Sequence, residues 1–292
     1  MKIVQGDQVS VETGTSHRGG VSEWRRLLDG ESGAIDNFSL VWAQSPGRFS
    51  PRHRHNFEQI RFQLEGTAKY GRTSVLKPGM VGYYPEAVHY GPQTQEEGEM
   101  LGVLVLQFGG ASGSGYIGRA EQADLTEELR GLGEFKDGVF RRNDDAPGKR
   151  NLDGFQAIWE HAKQRPLTYP DPRYDAPVFM DPENYDWLPI ANSPGAVVKT
   201  LGVFTECQTM IRFLKLDAGA WYSAPGARDI YFVLSGAGVV AGEPWRNATT
   251  LYVAQGENVR LEASAETEIL HLRLPNLDHL KSRDGAPRQA AE

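Results

Sequence analysis

The chain has 292 residues, of which 39% are hydrophobic and 24% are charged, a composition that is typical of a globular protein and excludes a disordered one. The formal net charge of −7 argues against a nucleic-acid partner, and no apolar run approaches the roughly 20 residues that a membrane span needs. The single cysteine, Cys207, excludes an intrachain disulfide, and the first residues show no secretory signal, so we expect a cytoplasmic protein with no membrane partner.

Residues 1–115 are predicted to form a first β domain with a lead-in segment. Within the lead-in, Trp24, Leu27 and Leu28 predict a short helical turn that ends near Gly30. From residue 36 the pattern is typical of strands, because short apolar or alternating runs are separated by glycine and proline turns. These runs lie at 38–44, 59–64, 80–84 and 101–106.

Residues 116–190 have a different pattern and are predicted to connect two β domains. Asp124 and Glu127 have the spacing of a helix N-cap with its reciprocal acid. Asp153 is predicted to cap a second helix, and the proline-rich run 166–190 is predicted to be an extended arm.

The β pattern returns over residues 191–280, and the polar segment 281–292 is predicted to be a frayed tail. Short strands with frequent turn residues favour a sandwich or barrel in each β domain. The sequence therefore predicts a mainly β protein, in which two antiparallel barrels are joined by a partly helical connector.

Two histidines in the first β domain have the spacing of metal ligands. His53 and His55 are two positions apart, so on a strand both imidazoles point to one face and can reach one metal ion. Gln59 shares that face if the strand bends between 55 and 59, whereas a bulge there brings Glu58 to the face instead. A further histidine, His89, follows in the next glycine- and proline-bounded segment.

The first of these segments resembles the first sequence motif of the cupins, which has a glycine, a His-x-His pair, a glutamate and a second glycine. Four residues have the motif spacing here: Gly47, His53, His55 and Gly66. The glutamate position holds Gln59, and Glu58 lies one residue early.

The second cupin motif matches at Gly79 and Pro85, but its histidine is displaced. Strict register places Tyr90 in the histidine position. A one-residue deletion in the turn places His89 there instead, with Gln93 where the motif has asparagine, and we prefer this alignment because it keeps a metal-capable side chain.

The second β domain resembles a cupin in its spacing of turns, as between Gly219 and Gly236, but it lacks the motif histidines. Ser223, Ala224 and Pro225 occupy the stretch that holds the His-x-His pair in the first domain. The resemblance implies a bicupin, with two double-stranded β-helix (jelly-roll) barrels of which only the first binds a metal. The second barrel, with Tyr231 and Val233 inside, is expected to stabilise the fold or to form a homodimer interface.

The resemblance implies one divalent metal ion in the first barrel, with four ligands: His53, His55, Gln59 and His89. Such ligands suit Fe, Ni, Mn, Zn or Cu without distinguishing among them. Arg61 and Gln63 share the parity of Gln59 and are predicted to bind the substrate together with Tyr83, although only one of Tyr83 and Tyr84 can face inward. A neutral amide in the carboxylate position and a nearby arginine favour a small anionic substrate.

The predicted function is that of a metal-dependent bicupin acting on a small anionic organic molecule, with a non-haem dioxygenase-type oxidoreductase favoured. Two alternatives stay open: a non-catalytic small-molecule-binding or sensing cupin, and a metal-dependent isomerase or lyase. A closed set of three or four ligands favours the enzyme, whereas an interior blocked by Arg61, Tyr83 or the lead-in segment favours the binding protein. Glu58 is expected to be a solvated strand residue.

Overall fold

The computed structural model describes residues 1–15, 21–47, 49–72, 74–95, 98–143, 145 and 147–281, so the predicted tail from residue 282 onward lies outside the described residues. The protein is mainly β, as predicted, and divides into two units. The N-terminal unit comprises Gln8–Phe108 and Gly115–Asn184, and the C-terminal unit comprises Met1–Asp7, Gly109–Ser114 and Tyr185–Glu292. No helix in the described part of the chain is long and apolar enough to cross a membrane.

This division differs from the predicted boundary of the first domain, 1–115, because the first residues belong to the C-terminal unit. Strand β1 (Lys2–Gln5) pairs antiparallel with the strand Thr249–Val253, and Ile3 lies opposite Leu251. Its backbone hydrogen bonds, rather than its position along the chain, therefore place this segment in the C-terminal unit.

The N-terminal unit contains thirteen strands and two α-helices in the described residues. The first nine strands are β2 (Glu12–Thr15), β3 (Val21–Asp29), β4 (Phe38–Ser45), β5 (Glu58–Glu65), β6 (Ala68–Tyr70), β7 (Ser74–Leu76), β8 (Val81–Tyr84), β9 (Gln93–Gln95) and β10 (Leu101–Phe108). The connector adds α1 (Arg119–Arg130), β11 (Gly133–Lys136), β12 (Val139–Arg142), β13 (Asn151–Asp153), α2 (Gly154–Lys163) and β14 (Val178–Met180).

The strands of this unit form antiparallel sheets of the jelly-roll type. A seven-stranded sheet has the order β14-β8-β5-β10-β4-β3-β2, and a three-stranded sheet has the order β7-β6-β9. The strands β11, β12 and β13 form a separate small sheet in the connector. The predicted extended arm contributes β14, which pairs with β8 and so completes an edge of the large sheet.

The predicted helical turn near Trp24 is wrong, because this segment is strand β3. Trp24 lies opposite Glu12 of β2 and Ala43 of β4, so the backbone of β3 is hydrogen-bonded on both sides. Two sheet ladders satisfy more backbone groups than one isolated helical turn, and they override the local spacing of apolar residues.

Both predicted connector helices are present, but the first begins earlier than predicted. Helix α1 has Gly118 as its N-cap, so Asp124 lies inside the helix. Helix α2 begins as predicted, because the Asp153 carboxylate accepts hydrogen bonds from the backbone N–H groups of Phe155 and Gln156. The helices pack through a small apolar core that includes Leu129 and Ile158.

The C-terminal unit has the same two-sheet organisation. Its remaining elements are β15 (Leu188–Pro189), β16 (Ala196–Phe204), β17 (Thr209–Leu216), β18 (Trp221–Pro225), β19 (Asp229–Ser235), β20 (Ala237–Val240), β21 (Glu243–Arg246), β22 (Thr249–Val253), β23 (Asn258–Ala263), β24 (Thr267–Arg273) and α3 (Asp278–Lys281). The large sheet has the order β1-β22-β19-β24-β17-β16-β15, and the small sheet has the order β18-β23-β20-β21. Tyr231 and Val233 are fully buried in its core, where we expected them.

A buried hydrogen-bonded network crosses the large sheet of the C-terminal unit. His271 Nε2 donates to Asp229 Oδ1 at 2.7 Å, and its Nδ1 accepts from Arg212 Nε at 2.6 Å. Arg273 Nε also donates to Asp229 Oδ1, at 2.8 Å, and the Tyr231 ring stacks on the imidazole with centroids 4.2 Å apart. These contacts describe a neutral histidine between an ionised carboxylate and a guanidinium.

The two titratable groups at the centre of this network have lowered pKa values. Burial, with a further contribution from the Arg212 charge, lowers the pKa of His271 to about 4 even though Asp229 acts in the opposite direction. Burial raises the pKa of Asp229, but the hydrogen bonds from His271 and Arg273 outweigh it and bring the pKa to about 2.

Stability should therefore fall as the pH drops from 7 to 5. In the unfolded chain His271 binds a proton below about pH 6.5, whereas in the folded protein it stays neutral until about pH 4, so acid favours unfolding across this window. We expect His271→Gln to reduce the loss of unfolding free energy between pH 7 and pH 5 by about 1–2 kcal/mol, measured by urea denaturation. An equal loss in wild type and variant would contradict this assignment.

Candidate functional site

The interior face of the N-terminal unit is set by the alternation of strand β5. Gln59, Arg61 and Gln63 share one face, and all three are buried. Gln59 lies opposite Tyr84 on one side and Gln107 on the other. Gln59 therefore faces the interior, and Glu58 lies on the opposite face of the strand.

His53 and His55 lie together at one end of this interior. Both are buried, and their ring centroids are 5.0 Å apart. His53 Nδ1 donates to the carbonyl of Pro51 at 2.6 Å, since a carbonyl can only accept. The ring of His55 stacks on Phe57, with centroids 4.4 Å apart, and meets the edge of Phe155 from helix α2.

Tyr90, and not His89, faces the two histidines. The backbone groups of His53 and Tyr90 bond to each other as an isolated antiparallel bridge, and the two rings lie 4.4 Å apart. This bridge fixes the parity, so that the neighbouring side chain of His89 points outward and is exposed. Partial burial, together with the charges of Arg52 and Arg54, lowers the pKa of His89. The preferred alignment with a one-residue deletion is therefore not the one that the structure adopts.

Arg61 lies at the centre of the interior with its side chain 4% exposed. Its Nη1 donates to Tyr70 Oη at 2.9 Å and to Gln93 Oε1 at 2.7 Å. Its Nη2 donates to Gln59 Oε1 at 3.2 Å and to Tyr90 Oη at 3.4 Å. All four acceptors are neutral, and Arg61 Nε has no hydrogen-bond partner among the described residues.

Aromatic faces complete the surroundings of this guanidinium. The Arg61 Cζ lies 4.8 Å from the ring centroid of Tyr84 and 5.4 Å from that of Tyr90. Burial lowers the pKa of Arg61, but the surrounding tyrosines outweigh it, so the pKa is raised and the side chain stays charged.

Of the other predicted substrate-binding residues, Gln63 faces the interior and Tyr83 does not. Gln63 Nε2 donates to the backbone carbonyls of Glu65 and Gly102, so its amide is held by the strands. Tyr83 lies opposite Ile60 on the other face of the sheet, and Tyr84 is the tyrosine that turns inward. The prediction that Tyr83 lines the interior is therefore wrong.

Glu58 is also buried on the outer face of the sheet, contrary to the expectation of a solvated residue. Burial, with a further contribution from the nearby Glu58 carboxylate, raises the pKa of the Tyr83 phenol. The connector arm covers this face, since Tyr174 packs edge-on against Tyr83 and Arg173 lies 3.6 Å from the carboxylate of Glu86. A segment more than 80 positions away along the chain excludes water here, which the local pattern does not show.

Sequence reasoning missed three interior side chains: Tyr70, Gln107 and Tyr116. Gln107 Nε2 donates to Gln59 Oε1 at 2.9 Å, and Gln107 Oε1 accepts from Tyr116 Oη at 3.1 Å. The one available signal is that Gln107 is the only polar side chain in the otherwise apolar strand Leu101–Phe108.

Solved structures share the fold of this chain, whereas no family model and no curated protein matches it. The matches include a Nostoc punctiforme protein provisionally named a dioxygenase, at 14% identity and a TM-score of 0.63, over 94% of this chain and 82% of that one. GK1651 from Geobacillus kaustophilus matches at 12% identity and a TM-score of 0.55, over 94% of this chain and 95% of that one. A mutant of Bacillus subtilis oxalate decarboxylase matches at 12% identity and a TM-score of 0.55, over 94% of this chain and 78% of that one.

Identities this low establish the fold and nothing about the reaction. The chain therefore has the cupin-type jelly-roll fold that its motifs predicted, in two antiparallel units with a partly helical connector.

The residues present do not fit the predicted metal ion. The four predicted ligands are not brought together, because His89 lies on the surface. Within the described residues, no group of three or more His, Cys, Asp or Glu side chains is arranged to hold a metal. Gln59 Oε1 already accepts two hydrogen bonds, and one of them comes from the positively charged Arg61.

Two adjacent substitutions should separate the roles of residues 89 and 90. Tyr90→Phe removes a buried acceptor of both Gln59 and Arg61 and should lower the unfolding free energy by about 1–3 kcal/mol. His89→Ala changes an exposed side chain and should stay within about 0.5 kcal/mol of wild type. Urea unfolding measures both, and a larger loss for His89→Ala would show that the assigned register is wrong.

Proposed function

We propose that the protein binds a small organic anion in the interior of its N-terminal unit, with Arg61 as the group that receives the acid. The observation that carries this proposal is the hydrogen bonding of Arg61. A guanidinium has five N–H donors, of which four are used here by neutral oxygens and the fifth, on Nε, has no partner among the described residues.

Arg61 is a buried cation, and no carboxylate is among its hydrogen-bond partners in the described residues. Burying a charge is costly unless an opposite charge or strong hydrogen bonds compensate for it. A carboxylate that reaches Nε would supply the missing opposite charge and a charge-assisted hydrogen bond. Neutral molecules gain much less at this position, so the site favours an anion.

The cavity next to the hydrogen-bond acceptors of Arg61, which Arg61 itself does not line, is small. A cavity of about 10 Å³, enough for about one water molecule, is lined by residues that include Gln63, Tyr70 and Gln93. Two of these, Tyr70 and Gln93, are hydrogen-bond acceptors of Arg61. A cavity of this size is too small for a carboxylate as it stands, so the entry of an acid requires side chains at the edge of the interior to move.

A metal-dependent dioxygenase, which the motif resemblance predicted, is the second candidate. Its support is the close pair formed by His53 and His55 and the fold shared with a protein provisionally named a dioxygenase. It ranks lower because the described residues do not assemble the other predicted ligands. The predictions of a homodimer and of a cytoplasmic location remain predictions.

Titration calorimetry with oxalate, malonate and salicylate tests the proposed function. We expect wild-type protein to bind at least one of these acids. Arg61→Met should weaken that binding by about 10- to 150-fold, the loss of one hydrogen bond to a charged group. Arg61→Lys should give a smaller loss, because it keeps the charge but not the planar fork.

A matched control comes from strand β23 of the C-terminal unit, where Arg260 also lies over an aromatic ring, that of Trp221. Arg260→Met should leave the affinity unchanged. The proposal fails if none of the three acids binds to wild-type protein, or if Arg260→Met and Arg61→Met weaken binding equally. Near-UV circular dichroism of each variant verifies that the tyrosine-rich interior is intact.

A further inference from the structure

We infer that Arg61 supplies, inside the N-terminal unit, the positive charge that a divalent metal supplies in a metal-binding cupin, and that Gln59, Arg61 and Tyr90 together exclude a metal. This inference deepens the proposed function, because it names the charge that an anion would meet. It can nevertheless stand or fall independently, because metal binding is measured without any organic ligand.

Arg61 lies beside the side chains that fill two ligand positions of the cupin motifs. Gln59 occupies the glutamate position of the first motif, and Tyr90 occupies the histidine position of the second motif in strict register. Arg61 Nη2 lies 3.2 Å from Gln59 Oε1 and 3.4 Å from Tyr90 Oη. The guanidinium is thus within hydrogen-bond distance of the side chains that fill two of the four ligand positions.

The side-chain oxygens of Gln59 and Tyr90 are already engaged in hydrogen bonds. Gln59 Oε1 accepts from Gln107 Nε2 at 2.9 Å and from Arg61 Nη2, so both of its lone pairs are used. Gln59 Nε2 donates to Tyr90 Oη at 2.7 Å, and the phenol also accepts from Arg61. Neither side chain offers a metal a donor atom without breaking these bonds.

The positive charge of Arg61 also opposes a metal ion at the histidine pair. A divalent cation at the histidine pair would lie close to a buried guanidinium, in a medium where charges are screened less than in water. Within the described residues, no third His, Cys, Asp or Glu side chain joins the histidine pair to hold the ion. His53 and His55 alone provide two neutral ligands, whereas metal sites in proteins ordinarily have three or four protein ligands.

The C-terminal unit supports this interpretation with a second instance. Asp229 precedes Gly236 by seven residues, as Gln59 precedes Gly66, and the residue opposite each is polar: Arg273 and Gln107. There too the side chain in the glutamate position is engaged by a guanidinium, because Arg273 donates to both oxygens of Asp229. In both units, therefore, an arginine donates to the side-chain oxygens of the residue in the glutamate position.

Metal binding by the chelator-treated protein tests the inference. We propose dialysis against Mn(II), Co(II), Ni(II) or Zn(II), with bound metal measured by elemental analysis. Wild type should bind no more metal than His53→Ala, since no site exists for the substitution to remove. Stoichiometric binding by wild type that His53→Ala abolishes would overturn the inference.

Replacing Gln59, Arg61 and Tyr90 together provides the converse test. The variant Gln59→Glu/Arg61→Leu/Tyr90→His should bind about one equivalent of metal, and the addition of His53→Ala should abolish this binding. The double variant Gln59→Glu/Tyr90→His, which keeps Arg61, is the matched control and should bind at least tenfold more weakly. Equal affinity of the double and triple variants would refute the role of the guanidinium.

The outcomes remain decisive if a variant misfolds. Far-UV circular dichroism identifies such a variant, and the comparison of wild type with His53→Ala then decides the inference. A wild-type protein that binds neither metal nor small acids would contradict the proposed function while supporting the absence of a metal. A protein that binds both, with metal binding dependent on His53, would overturn the inference and leave anion binding intact.

Discussion

The buried guanidinium of Arg61 is the constraint on which the interior of the N-terminal unit depends. A charge removed from water is tolerated only where hydrogen-bond partners surround it. Arg61 extends from the large sheet, and it donates to Tyr70 on β6 and Gln93 on β9 in the small sheet. The same group that gives the interior its charge therefore also ties the two sheets together, and a chain of bonds through Gln59 and Gln107 continues to Tyr116.

The two units meet the same requirement with different chemistry. In the N-terminal unit the Arg61 cation donates to neutral amides and phenols, and no carboxylate is among its hydrogen-bond partners in the described residues. In the C-terminal unit Asp229 balances a guanidinium directly, and His271 fills the space beside it. On the proposed function, this contrast is the reason that the first interior binds an anion, whereas the buried groups of the second bond to one another.

The alternation of strand β5 predicted correctly that Gln59, Arg61 and Gln63 face one side, because the side-chain period of a strand is strict. The prediction of His89 as a ligand failed because chemical preference was placed above register, and the bridge between His53 and Tyr90 decides the parity. Burial of the outer sheet face was not predictable, since it depends on the connector arm folding back over that face.

The central claim is that the charge in the first interior belongs to the protein and not to a bound metal. It is tested most directly by titrating the tightest-binding acid into protein dialysed against EDTA, and again into protein reloaded with Mn(II) and freed of excess metal. Equal affinity in both titrations, with loss of binding in Arg61→Met, is the result that this account predicts. Binding that disappears after EDTA treatment and returns with Mn(II) would contradict it.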